Sequence, residues 1–102
     1  MRIIHLDATK WKTVLDFCRA LRAAIGAPNY HGNSPDAFID SMIWGGINAV
    51  EPPYTIRISG AATLPKDVRE QVELVKQDLA SGRVDYQNRQ SGDVGVAIEI
   101  EP

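Results

Sequence analysis

The sequence holds a single cysteine, Cys18, in 102 residues. No disulfide can close within the chain, and nothing points to an oxidising compartment. No run of about 18 apolar residues is present to span a bilayer. The apolar start, Ile3-Ile4-His5-Leu6, meets its first acid at Asp7, which is too short for a signal peptide. The default address is therefore the cytoplasm. Basic charge is not in excess either: 11 Lys and Arg stand against 13 Asp and Glu, for a formal net charge of -2. Phosphate backbones are met by clusters of Lys and Arg, so direct nucleic-acid binding is disfavoured, while a basic protein partner stays open. There are only two histidines, His5 and His31. No Cys-x-x-Cys, His-x-x-x-His, Gly-x-Ser-x-Gly or Gly-x-x-x-x-Gly-Lys occurs, so the stronger metal, nucleophile and phosphate-loop signatures are missing. No catalytic set, metal or cofactor is expected.

What is present is an ordinary globular composition, 44% hydrophobic and 24% charged. That suits one domain over residues 1–102 with one core. Residues 2–6 read as a short strand, followed by polar caps at Asp7 and Thr9. Trp11, Val14, Leu15, Cys18, Leu21 and Ile25 recur at helical steps over 11–25, and Gly26 supplies a stop. Cys18 lies in that stripe as a small core residue. Residues 27–33, Ala-Pro-Asn-Tyr-His-Gly-Asn, read as a loop. Ser34-Pro35-Asp36 opens a second helix that runs to about Ile43 and stops at Gly45-Gly46: Ser as N-cap, Pro in the first turn, and an acid at the positive helix end. Tyr54 to Ile58 alternates as a strand with one wet face. Leu64, Val68, Val72, Val75 and Leu79 mark a long helix from Pro65 that Ser81-Gly82 closes. Residues 84–90 are open to being an extra strand. Val94, Val96, Ile98 and Ile100 alternate as the last strand. The order β-α-α-β-α-β predicts an α/β fold: a small, three-stranded, mainly parallel sheet packed on helices.

His5 lies in a strand, where a structural role outweighs a ligand role. The second helix carries the most informative pattern. At 100° per residue, Phe38 and Met42 fall on a core side, and Asp36, Ile39, Asp40 and Ile43 fall on the other. Two acids interleaved with two isoleucines on an outward face are either a binding surface or a solvated face whose isoleucines pack under a neighbouring segment.

Residues 28–42, Pro-Asn-Tyr-His-Gly-Asn-Ser-Pro-Asp-Ala-Phe-Ile-Asp-Ser-Met, resemble the signature segment of the barstar family of ribonuclease inhibitors. The family pattern is proline, an acid or amide, two aromatics, glycine, a few polar residues, then Asp-Ala, an apolar pair and Asp. The order of elements also follows the family over most of the chain. The resemblance implies a barstar-like fold in which the loop and second helix plug the cleft of a ribonuclease, with carboxylates standing where substrate phosphates would lie. It places Tyr30, His31 and Gly32 on the aromatic pair and turn glycine, and Asp36 and Asp40 on the two inhibitory acids. Ile39 falls where the family has tryptophan, with Ile43 on the same side. Gln77 falls where the family's long helix contributes an acid, with Asp78 beside it. Residues 60–63 are too few for the short helix that the family inserts before its long one, and 84–93 are more than it needs.

The resemblance therefore implies an immunity protein or antitoxin, not an enzyme, that binds a cognate ribonuclease toxin 1:1 as a monomer. An alternative is a protein of the same fold that blocks a partner other than a ribonuclease. A weaker one is an enzyme using Asp36 and Asp40 with His31 as acid and base. Surface carboxylates outside a pocket keep ordinary proton affinities, which disfavours it.

Overall fold

Alternating apolar residues form three parallel strands in the computed structural model, which describes residues 2–102. They are β1 (Arg2–Asp7), β2 (Tyr54–Ser59) and β3 (Val96–Ile100), in the order β1-β2-β3. Ile4, Ile56 and Ile98 lie in one row across the sheet, and His5, Arg57 and Glu99 in the next. The first row and its like, Tyr54, Ile58 and Val96, face the helices, and those on β2 and β3 are fully or almost fully buried. The second faces outward, where Arg57 pairs with Glu99 at 3.1 Å and Glu101 at 3.4 Å. All-parallel sheets are usually covered on both faces and read as continuous apolar runs. Here one face is wet, which is why these strands alternate. β3 begins two residues later than its pattern suggested. Gly95 stands before it at φ +73°, where a Cβ would lie 2.7 Å from Pro53 Cβ, and the Asp93 carboxylate accepts the Gly95 N–H at 2.9 Å.

The first helix, α1 (Val14–Ile25), starts later than Trp11. Asp7 and Thr9 do not cap it: the Asp7 carboxylate accepts from the Thr9 amide and hydroxyl and closes a turn of its own. Thr13 and Asp16 form the capping box instead, and Gly26 ends the helix in the left-handed region as expected. Trp11, outside the helix, still joins the core, with its ring 5.4 Å from that of Phe17. Phe17 takes the buried place that the pattern gave to Leu15, which is exposed.

A second helix, α2 (Pro35–Ile39), runs into a π-helical turn over Asp40–Trp44. One 3-10 turn, Ala61–Thr63, stands where the family's short helix was expected to be missing. The last helix, α3 (Lys66–Gln90), buries Val68, Val72, Val75 and Leu79 as predicted, but it does not stop at Ser81-Gly82. It continues for two more turns, so 84–90 is helix rather than strand. The extension is held outside the core stripe. Arg83 grips Asp93 through two bonds of 2.7 Å, and Asp85 accepts from Arg89 one turn on at 3.3 Å. Ser91 in the left-handed region ends it. The buried residues of all these elements form one connected cluster.

Candidate functional site

The loop 27–34 and the segment from Pro35 to Trp44 lie against α1 and α3 and carry the predicted site. Ser34 is the N-cap as expected: its Oγ accepts the Ala37 N–H at 3.1 Å, and Pro35 takes the first turn. The helix then widens. Ser41, Met42 and Ile43 are three successive buried residues. On a regular α-helix these would spread over about 200° and could not all face one core. The wider i→i+5 turn brings them to the inside together. Asp40 before them and Trp44 after them are left outside, with Trp44 42% exposed. Asp36 is exposed one turn before Asp40, so Asp36, Asp40 and Trp44 make one outward ridge.

The loop is tied down from both neighbouring helices. His31, which the resemblance placed on the aromatic pair of the binding loop, is only 6% exposed. Its Nδ1 donates to the Gly32 carbonyl at 2.5 Å, since a carbonyl can only accept. Its Nε2 lies 2.7 Å from the Ser41 Oγ, which also stands 3.3 Å from the Phe38 carbonyl, and the ring rests 5.0 Å from that of Phe38. From α1, Arg22 donates to the Asn33 side chain at 3.0 Å. The Cys18 thiol lies 3.7 Å from the Asn33 carbonyl, and burial pushes its pKa up, away from reactive thiolate. What the tethered loop presents is Tyr30, 78% exposed, together with exposed Gly32.

The structure leaves Tyr30, Gly32, Asp36 and Asp40 exposed and Ile39 half-buried, and sets three of the predicted residues apart from them. Ile43 is 1% exposed, not outward. It shares with half-buried Ile39 a seat on α3, where a Cβ on Gly82 would lie 2.8 Å from Ile39 Cγ2 and 3.4 Å from Ile43 Cγ1. His31 is the second, an anchor beneath the loop. Gln77 is exposed but precedes Gly82 by five positions, about 140° round a regular helix from the side that meets α2. Asp78 stands about 40° from that side and is half-buried. Two residues went unnoticed in the sequence. Trp44 packs on Tyr86 of α3 with ring centroids 5.1 Å apart, and Ser41 holds His31. An aromatic four residues after Asp40 was a visible signal for the first; for the second, a lone serine gave none.

Among the described residues, the Asp36 and Asp40 carboxylates meet no hydrogen-bond or ion-pair partner, and no group of three His, Cys, Asp or Glu side chains is placed to hold a metal. No described helix is long and apolar enough to cross a membrane. No curated protein matches the chain. The family model described as barstar, the barnase inhibitor, matches residues 1–94, which takes in the loop, α2 and all of α3. With its three-stranded parallel sheet against three helices, the chain has the barstar-like α/β fold and belongs to the barstar family.

Proposed function

We propose that this protein inhibits a cognate ribonuclease toxin by setting Tyr30, Gly32, Asp36, Ile39 and Asp40 into its active-site cleft. The observation that carries this reading is the pair of exposed carboxylates, one on α2 and one at the start of the π turn, that no described residue of the chain meets, on a segment matched by the barstar family. A cleft built to hold RNA phosphates presents arginine and lysine. Carboxylates entering it form charge-assisted bonds, while Tyr30 and Ile39 exclude water around them. His31 and Ser41 serve by holding the loop in shape before binding, which lowers the ordering cost of association. Trp44 extends the same ridge. The protein acts as a blocker and not as a catalyst: both His31 ring nitrogens are engaged inside the protein, so the acid-base set of His31, Asp36 and Asp40 has no free base at its centre.

The test is titration of the purified protein into barnase and other basic ribonucleases while RNA cleavage is followed. Stoichiometric loss of cleavage at 1:1 is expected for the cognate enzyme. If the toxin partner captured from the source cell acts on something other than RNA, the ribonuclease assignment fails and a barstar-like immunity role toward that partner replaces it.

A further inference from the structure

Gly82 sits inside α3, eight residues short of its end, where a glycine destabilises a helix relative to alanine. Nothing in its backbone asks for glycine, since it lies within a continuous helix. What asks for it is Ile39: a Cβ at Gly82 would stand 2.8 Å from Ile39 Cγ2. That methyl belongs to a β-branched side chain whose χ1 is nearly fixed in a helix, so it cannot swing aside as the tip of a long side chain would. Relief would have to come from moving α2 itself. One helical turn further along α3, Tyr86 meets Trp44, the last residue of the π turn. The acid-bearing segment is thus seated at two points, a close one at Gly82 and an aromatic one at Tyr86.

We infer that Gly82 is a positioning residue: it sets how closely α2 lies on α3 and hence where the Asp36 and Asp40 carboxylates stand. The purpose of that placement rests on the inhibitory reading above; the geometry does not. The same packing explains why the helix runs straight through a Ser-Gly pair that reads as a stop. The glycine is there for its neighbour and not for a turn.

The experiment is a double-mutant cycle with Gly82→Ala and Ile39→Ala, read by melting temperature and by amide chemical shifts of residues 35–44. Helix propensity alone predicts that Gly82→Ala melts higher and leaves those amides unmoved, and that result would overturn the proposal. The expected result is a melting temperature several degrees lower, with shifts at Asp36 and Asp40. In the Ile39→Ala background, where Cγ2 is gone, Gly82→Ala should regain the helix advantage and melt at or above its parent. An equal loss in both backgrounds also overturns it, because the obstruction would not be Ile39. Binding to barnase as probe separates this from the inhibitory reading. If wild type binds, Gly82→Ala should weaken it at least tenfold, and unchanged affinity despite moved amides rejects the link to the acids. If wild type does not bind barnase, the assignment of that target fails while the cycle still decides the seat.

Discussion

Two sets of carboxylates on this small protein behave in opposite ways. On the sheet face and at some helix ends, acids are met by the chain itself. Glu99 and Glu101 share Arg57, Asp93 is gripped by Arg83, and Asp16 closes the capping box of α1. On α2 and the π turn that follows it, Asp36 and Asp40 are left open to solvent, though one connected core lies directly beneath them. Acids of the first kind lower the energy of the fold and have no need of another molecule. Acids of the second kind meet no such partner within the described residues, Asp36 gaining only its favourable place near a helix start, and the proposed inhibitory role supplies one. Neutral or near-neutral net charge hides this division, and only the location of each acid reveals it.

The sharpest way to break the contrast is Asp40→Ala. In charged interfaces, of which barnase with barstar is itself the type example, truncating one member of a desolvated pair costs at least about 2 kcal/mol, or roughly 30-fold in affinity. Thermal stability should hold or rise slightly, since alanine is the better helix former. Isothermal titration against the cognate ribonuclease, with melting curves beside it, checks both. A comparable loss of stability would place Asp40 among the structural acids.

Next in size is Ser41→Ala, which tests whether the loop beneath Tyr30 is held by its anchor. A buried ring nitrogen loses its partner, at a cost of about 1–3 kcal/mol in stability. Hydrogen exchange should quicken across 28–34, and binding should weaken through slower association or faster release. Unchanged exchange would show that the Arg22 and Cys18 ties suffice.

Much of this arrangement was legible in the sequence. The strands were readable because one face of the sheet is wet, so alternation survived in Tyr54 to Ile58 and Val96 to Ile100. The Ser34-Pro35-Asp36 start was readable because capping is local chemistry. Three things were not. The placement of Ile43 assumed 100° per residue, and the π turn breaks that period after Asp40. The length of α3 was cut at Gly82 because a glycine that serves a neighbouring helix looks the same in sequence as one that ends its own. The anchoring role of His31 was hidden because its partner, Ser41, lies ten positions away and is brought to it only by the fold.

Asp93→Asn sharpens the comparison from the structural side. The Asp93 carboxyl is held down to about 2, first by the Arg83 hydrogen bonds and then by the Gly95 amide. Its folded value lies below its unfolded one, near 4, so its stabilisation is present in full above about pH 4 and is lost as pH falls through about 2. The variant should melt somewhat lower at neutral pH and show a flatter loss of stability in that acid window. Binding should be unaffected. Smallest of all is Glu99→Gln on the open sheet: exposed ion pairs contribute little, so stability should change by no more than about 0.5 kcal/mol and inhibition not at all.

The central claim, that Asp36 and Asp40 face a basic partner, is tested most directly by the salt dependence of association. Wild type and an Asp36→Asn/Asp40→Asn double variant are mixed with the cognate ribonuclease over a range of ionic strength, and the association rate is followed by stopped flow. Acids that steer the encounter predict a fast wild-type rate that falls steeply with salt, and a slower, flatter rate in the double variant. Equal rates and equal slopes for the two proteins would contradict it and put the binding face elsewhere on the molecule.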